Sequence, residues 1–293
     1  MNVITDFHGQ PAVKLQTPAG DRATVLLHGA HVVSWIPAGG SERLYLSPRS
    51  RYGEGQSIRG GVPVIFPQFN QRGPDFSLPK HGLVRTRRWS LDGLGDGQSR
   101  TDTAAGARPA EQASVRLRIA PDAQMRALWP HHFSLALTVS LEPQQLILAL
   151  EVGNGGDQPF AFTAALHTYL AIDDIAAATV SGLEHVRYLD AVTGTGTVAG
   201  DGSLSFDRET DRIYYEVPGP LILRARALDL EVAMAGFRDT VVWNPWAERC
   251  AALPDMPADG YRRMLCIEAA VIDKPVTLAG GGSWSGRQLL TVR

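Results

Sequence analysis

Apolar and polar residues alternate with a period of two along much of this chain. Ser114-Val115-Arg116-Leu117-Arg118-Ile119 alternates strictly, and so does Phe133 to Leu141. Such a pattern marks a strand with one buried and one solvated face. Gln145 to Val152 repeats it after the turn residues Glu142-Pro143. The two runs therefore predict a hairpin, ended by the turn at Asn154-Gly155-Gly156-Asp157. Further strands are predicted over Ala23–Leu27, His31–Ile36, Phe160–Leu166, Leu221–Arg226, Leu228–Met234, Thr240–Trp243, Arg263–Val271 and Arg287–Val292. Only Asp122 to Trp129 suggests a helical turn. The Gly-, Ala-, Asp- and Ser-rich stretch Gly93 to Gln112 reads as an exposed loop, because strand patterning resumes after it. Many short strands with turn residues between them and no repeat predict an all-β fold, a large antiparallel β-supersandwich.

Composition narrows the function. The chain has 293 residues, 44% of them hydrophobic, enough for a sizeable core, and it is expected to form a single domain over 1–293. A formal net charge of -2 argues against a general nucleic-acid binder. No apolar run is long enough to span a bilayer, and the start Met1-Asn2-Val3-Ile4 is not a basic stretch followed by an apolar one. A cytoplasmic protein with no membrane partner is the expectation. Cys250 and Cys266 sit in apolar surroundings and read as two buried thiols.

Four segments break the strand pattern with chemistry. Ser57 to Phe69 packs Gly60-Gly61, Pro63 and Pro67 around Arg59, which gives an irregular backbone beside a candidate anion or hydroxyl clamp. Pro79 to Trp89 holds Lys80, His81, Arg85, Arg87 and Arg88. A strand from Leu83 would put Arg85 and Arg87 on one face and Arg88 on the other. His167 ends an apolar strand, where a histidine is more often a satisfied core residue than a catalyst; His31, His131 and His132 look no different by that test. Glu268 interrupts the apolar run Met264 to Val271. A buried carboxylate there is costly unless paired or functional, and a partly desolvated one has a raised pKa suited to a general base. Asp211 reads as a turn aspartate, and Trp243 and Trp246 as core aromatics or sugar platforms. No histidine pair has metal-ligand spacing with cysteines or carboxylates, so no metal site is expected, and no Walker or dinucleotide fingerprint is present.

Taken in order, Ile58-Arg59-Gly60-Gly61-Val62-Pro63, His81-Gly82 with Arg85, Leu166-His167-Thr168-Tyr169, Asp211-Arg212-Ile213-Tyr214, Val241-Val242-Trp243-Asn244-Pro245 and Ile267-Glu268 resemble the aldose 1-epimerase superfamily, specifically its sugar-phosphate group. The resemblance runs from about Gly29 to the C-terminus. It implies a galactose-mutarotase-like supersandwich, with a site in an open groove on one sheet. It also implies an isomerase that exchanges the anomers of a hexose 6-phosphate without cofactor or metal. His167 matches the general acid and Glu268 the general base. Arg59, His81 and Asp211 match residues that hold sugar hydroxyls or phosphate, and Arg59 and Arg85 fall at the phosphate arginines. The expected partner is a small sugar phosphate, bound by a monomer. The sequence departs from the family's pattern at Gln68-Phe69-Asn70 and at Trp246, which bears on the exact sugar.

Overall fold

The computed structural model describes residues 2–71, 78–95, 112–226 and 228–293. Its described strands form three sheets with every strand pair antiparallel. The back sheet has nine strands. At its centre lie Phe133–Glu142, Gln145–Asn154 and Ser283–Val292. The hairpin is as expected: Glu142 pairs with Gln145 across Pro143-Gln144, and Gln144 takes a φ of 59° to close it. The inward residues Leu135, Leu137, Val139, Leu141, Leu146, Leu148 and Leu150 are all buried.

The front sheet has eight strands. Asp239–Asn244, Met264–Leu278 and Phe160–Leu166 form its middle, with Thr210–Tyr214 and Arg187–Asp190 to one side and the two-residue Val64–Ile65 strand at the other edge. A four-stranded sheet, Asn2–Phe7, Gln10–Gln16, Arg22–Leu26 and Val32–Ile36, packs Val13, Leu15, Val25 and Trp35 into the same core.

The Met264–Leu278 strand explains why alternation failed to reveal a wet face around Glu268. Both of its faces are covered from Met264 to Ile272. Leu265, Ile267, Ala269 and Val271 point into the core between the sheets. Cys266 and Ala270, on the opposite face, join smaller clusters with Tyr169, Met264 and Cys250, and with Ala165, Val241 and Ile213. A strand's two-residue period therefore puts Glu268 on the outer face, between those clusters.

Several expectations are corrected. Leu83 to Trp89 is a run of turns rather than a strand, so its arginines do not alternate across a sheet. Arg87 instead hydrogen-bonds Gln124, and Arg88 lies exposed. Gly93 to Gly95 belongs to the Ser90–Gly95 strand, and residues 96–111 of the expected loop lie outside the described residues. The expected turn at Asp122 is the helix Ala123–Leu128, with the Asp122 carboxylate accepting from the Met125 N–H. The helix Trp246–Ala251 had no forewarning in apolar spacing. Both cysteines are free and buried. Among the described residues no helix is long and apolar enough to cross a membrane.

Candidate active site

The irregular edge of the front sheet is built by the glycine- and proline-rich segment. Only Val64–Ile65 makes regular ladder contacts. On either side single hydrogen bonds take over: Tyr169 N–H to Gly61 O at 2.9 Å, His167 N–H to Pro63 O at 3.0 Å, and Thr163 N–H to Pro67 O at 2.9 Å. His81-Gly82 packs under this edge. Gly82 has φ of +74°, and a Cβ there would lie 2.0 Å from Phe66 O, so no other residue fits.

Along 165–170 the alternation persists through the break after Leu166. Leu166 and Leu170 enter the core between the sheets, while Ala165 and Tyr169 belong to the outer-face clusters. His167 shares their parity and meets Glu268 on that face. His167 Nδ1 and Glu268 Oε1 are 3.3 Å apart. His167 is 9% exposed and Glu268 1%, yet both line a cavity of ≈ 100 Å³ with Arg59, His81, Asp211 and Trp243. His167 Nδ1 and Glu268 Oε2 have no hydrogen-bond partner there. Two buried polar atoms left unpaired cost about 1–3 kcal/mol each.

The imidazole is held on every side. Tyr169 stacks on it at 4.8 Å and 8°, and His81 and Trp243 meet it edge-on at 5.5 and 6.2 Å. Beneath the couple, buried Gln288 from the back sheet accepts from the Thr168 hydroxyl at 2.5 Å and donates to Ile267 O at 3.0 Å. Ile267 N–H donates to Thr168 O at 3.1 Å. One amide thus braces both the residue after His167 and the residue before Glu268.

The electrostatics set the proton's resting place. Burial, and then His81, Arg59 and Arg85, push His167 well below the ordinary histidine pKa. Burial, and then Asp211, push Glu268 well above the ordinary carboxyl value. Both shifts favour the uncharged forms, a neutral imidazole beside a protonated carboxyl. His81 is also neutral: burial, then Arg85 and Lys80, lower it to about 3. Its Nδ1 accepts from Asn70 N–H at 3.2 Å, so Nε2 carries the proton and can donate.

The anticipated residues distribute as follows. His167, Glu268, Arg59, His81 and Asp211 all line the cavity. Arg59 is not a free clamp: its Nε and Nη2 lie 3.2 Å from the two Asp255 oxygens, and Nη1 donates to the Tyr169 hydroxyl at 3.0 Å. Arg85 stands beside the cavity rather than in its wall, with Nη2 donating to Lys80 O at 3.2 Å. His31 is a buried structural histidine bonded to Gly60 O at 2.7 Å. Lys80, Arg249 and Asn70 also line the cavity. Lys80 was visible only as one member of a basic stretch, and nothing in the pattern pointed to Arg249. Gln288 did leave a signal, a polar residue at an inward position of an apolar strand.

Metal-binding atoms of His167, Cys266 and Glu268 lie within 4.8 Å of one another, the one such group among the described residues. Burial and then Glu268 hold the Cys266 thiol well above its usual pKa, as the protonated form that ligates poorly. A larger hollow, ≈ 580 Å³, on the back sheet is lined by Glu151 and Arg287 among serine and threonine. Glu151 there is tied to Arg116 at 2.6 Å, which lowers its pKa, so that hollow holds no comparable acid–base couple.

Known proteins resemble this chain in sequence and in fold. A family model described as "Aldose 1-epimerase" matches residues 11–291. A Cenchrus ciliaris protein named "Putative glucose-6-phosphate 1-epimerase" is 34% identical over 275 residues, 92% of this chain and 80% of its own. An Escherichia coli K12 protein of the same name is 32% identical over 252 residues, 85% of this chain and 79% of its own. The crystal structure of a Salmonella typhimurium "putative mutarotase" superimposes with a TM-score of 0.87 at 26% identity, covering 99% of this chain and 93% of that one.

Proposed function

The chain belongs to the aldose 1-epimerase family, and from that premise we propose that it interconverts the α and β anomers of glucose 6-phosphate, with His167 as general acid and Glu268 as general base. The observation that carries this reading is the buried couple at 3.3 Å, whose two side chains line a cavity together with Arg59, Lys80 and Arg249.

Mutarotation moves protons at two oxygens bonded to the same carbon. An acid and a base 3.3 Å apart, side by side rather than on opposite sides of the sugar, can serve both oxygens. Glu268 takes the proton of the anomeric hydroxyl while His167 delivers one to the ring oxygen. The bond from C1 to the ring oxygen breaks and C1 becomes an aldehyde. Rotation about C1–C2 presents its other face. The former ring oxygen then attacks C1 and returns its proton to His167, and Glu268 returns the other to the new anomeric hydroxyl. Each group contributes about a hundredfold or more.

The resting proton on Glu268 fits this cycle, because neutral His167 with protonated Glu268 and imidazolium with carboxylate hold the same number of protons. A sugar that donates its anomeric hydroxyl to Glu268 and offers its ring oxygen to His167 favours the second arrangement. Asp211 would accept from a sugar hydroxyl, and His81 Nε2–H would donate to one. Arg59 and Arg85 supply positive potential for the phosphate. On this reading residues 1–293 work as one domain, a cytoplasmic monomer acting on a small sugar phosphate.

The test is anomer exchange followed by NMR on glucose 6-phosphate and on glucose at equal concentration. Faster exchange of the phosphorylated sugar is expected. Acceleration of glucose alone would reassign the substrate, and sugar binding without acceleration would make the groove a binding site only.

A further inference from the structure

Tyr169 is 3% exposed and does not itself line the cavity, yet its two ends touch two residues that do. Its ring lies parallel to the His167 imidazole, 4.8 Å between centroids and 8° between planes. Its hydroxyl accepts from Arg59 Nη1 at 3.0 Å. Burial holds the phenol above its ordinary pKa, so the hydroxyl stays neutral beside the guanidinium. Trp243 meets both rings edge-on, at 6.2 Å from His167 and 6.0 Å from Tyr169.

The backbone of Tyr169 is fixed on every side. Its N–H donates to Gly61 O at 2.9 Å, its carbonyl accepts from Tyr45 N–H at 2.9 Å, and it pairs with Cys266, two residues before Glu268. The phenol therefore stands on the same frame as the base. The imidazole, by contrast, turns about a bond with only broad, two-fold preferences. The backbone of His167 does not set the plane of its ring; a parallel aromatic face does, because tilting breaks the contact. When the couple passes to imidazolium and carboxylate, that face adjoins a cation, which aromatic faces favour.

The hydroxyl does similar service for Arg59. Nε and Nη2 of Arg59 lie 3.2 Å from the two Asp255 oxygens, and Nη1 is left for Tyr169. Asp255 lies on the connection between the helix Trp246–Ala251 and the turn Gly260–Arg263, whereas Tyr169 belongs to the sheet. Loss of either tie leaves the guanidinium held from one side.

We propose that Tyr169 is a positioning residue with two separable tasks: its ring sets the plane of the His167 imidazole, and its hydroxyl fixes Arg59 in the cavity wall. This rests on the anomer-exchange reading, but neither task requires Tyr169 to touch the sugar.

The experiment measures anomer exchange on glucose 6-phosphate with Tyr169→Leu, Tyr169→Phe and Asp255→Asn, with thermal melts confirming the fold of each. Tyr169→Leu should lower kcat by about tenfold to a hundredfold and raise KM severalfold. Tyr169→Phe keeps the stack and drops the tie, so it should recover most of the kcat lost in Tyr169→Leu while KM stays raised. Asp255→Asn should raise KM as Tyr169→Phe does. Lost packing alone would not separate the two constants in this way. Wild-type kcat in Tyr169→Leu, or a kcat in Tyr169→Phe as low as in Tyr169→Leu, overturns the role of the ring. Wild-type KM in both Tyr169→Phe and Asp255→Asn overturns the role of the hydroxyl. In the wild type, nuclear Overhauser contacts between the His167 and Tyr169 ring protons should be seen, and their absence overturns the stack without any variant. If the wild type fails to exchange these anomers, the function falls, while the Overhauser contacts still decide the stack.

Discussion

The Thr168 hydroxyl, one residue beyond His167, donates a 2.5 Å hydrogen bond to Gln288, a side chain of the opposite sheet with no exposed surface. The same amide donates to Ile267, one residue before Glu268. The separation of the acid–base couple is thus fixed from below, through backbone neighbours, while both side chains line the cavity on the other side.

Replacing Gln288 by Leu should therefore do two things. It removes the buried partner of the Ile267 carbonyl and leaves the Thr168 hydroxyl only its 3.5 Å contact to Leu166 O, lowering stability by about 1–3 kcal/mol in urea unfolding. It also loosens the couple, so kcat should fall between about tenfold and a hundredfold with little change in KM. Thr168→Ser, which keeps the hydroxyl, should retain most of the rate. A stability loss with kcat intact would confine Gln288 to packing.

The proton positions give a pH dependence. The couple works with one proton, and its two groups titrate as a unit. His167 is depressed, so a second proton binds only below the ordinary histidine pKa of 6.5. Glu268 is raised, so the single proton is retained well above the ordinary carboxyl value of 4.5. The acid limb of the kcat/KM profile should lie below 6.5, and the alkaline limb, where Glu268 loses its proton, above the ordinary carboxyl value. An acid limb centred at or above 6.5 would place the imidazole in a more solvated setting.

Acid stability follows from His31 and His81, whose pKa values burial lowers to about 4 and about 3. Both are neutral in the fold, whereas the unfolded chain protonates them near 6.5. Their contribution is complete above 6.5, falls as the pH drops, and is lost at the folded values. The slope is up to about 1.4 kcal/mol per pH unit for each histidine. Urea midpoints should begin to fall below pH 6.5, before exposed carboxylates titrate. His31→Gln should flatten that slope; an identical slope would mean His31 is not buried neutral.

Much of this was legible in the chain. Period-two runs such as Phe133 to Leu141 specify strands directly, because one face is wet and the other dry. The resemblance carried by His167, Glu268, Arg59, His81 and Asp211 located side chains that do converge. Glu268 shows where patterning stops: its strand is covered on both faces, so alternation cannot say which face holds a site. Leu83 to Trp89 shows another limit, since its β-like composition is overridden by Gly82, which must turn under Phe66. Arg249 lies on a six-residue helix with no apolar period, and only the closing of the chain brings it to the groove.

The central claim is that His167 and Glu268 form one acid–base unit. The most direct measurement is NMR anomer exchange on glucose 6-phosphate with His167→Ala, Glu268→Gln and the double variant. Each single change should reduce kcat by about a hundredfold or more, and the double variant should lose little beyond the worse single one. Near wild-type exchange in either single variant, with the fold intact, would contradict it.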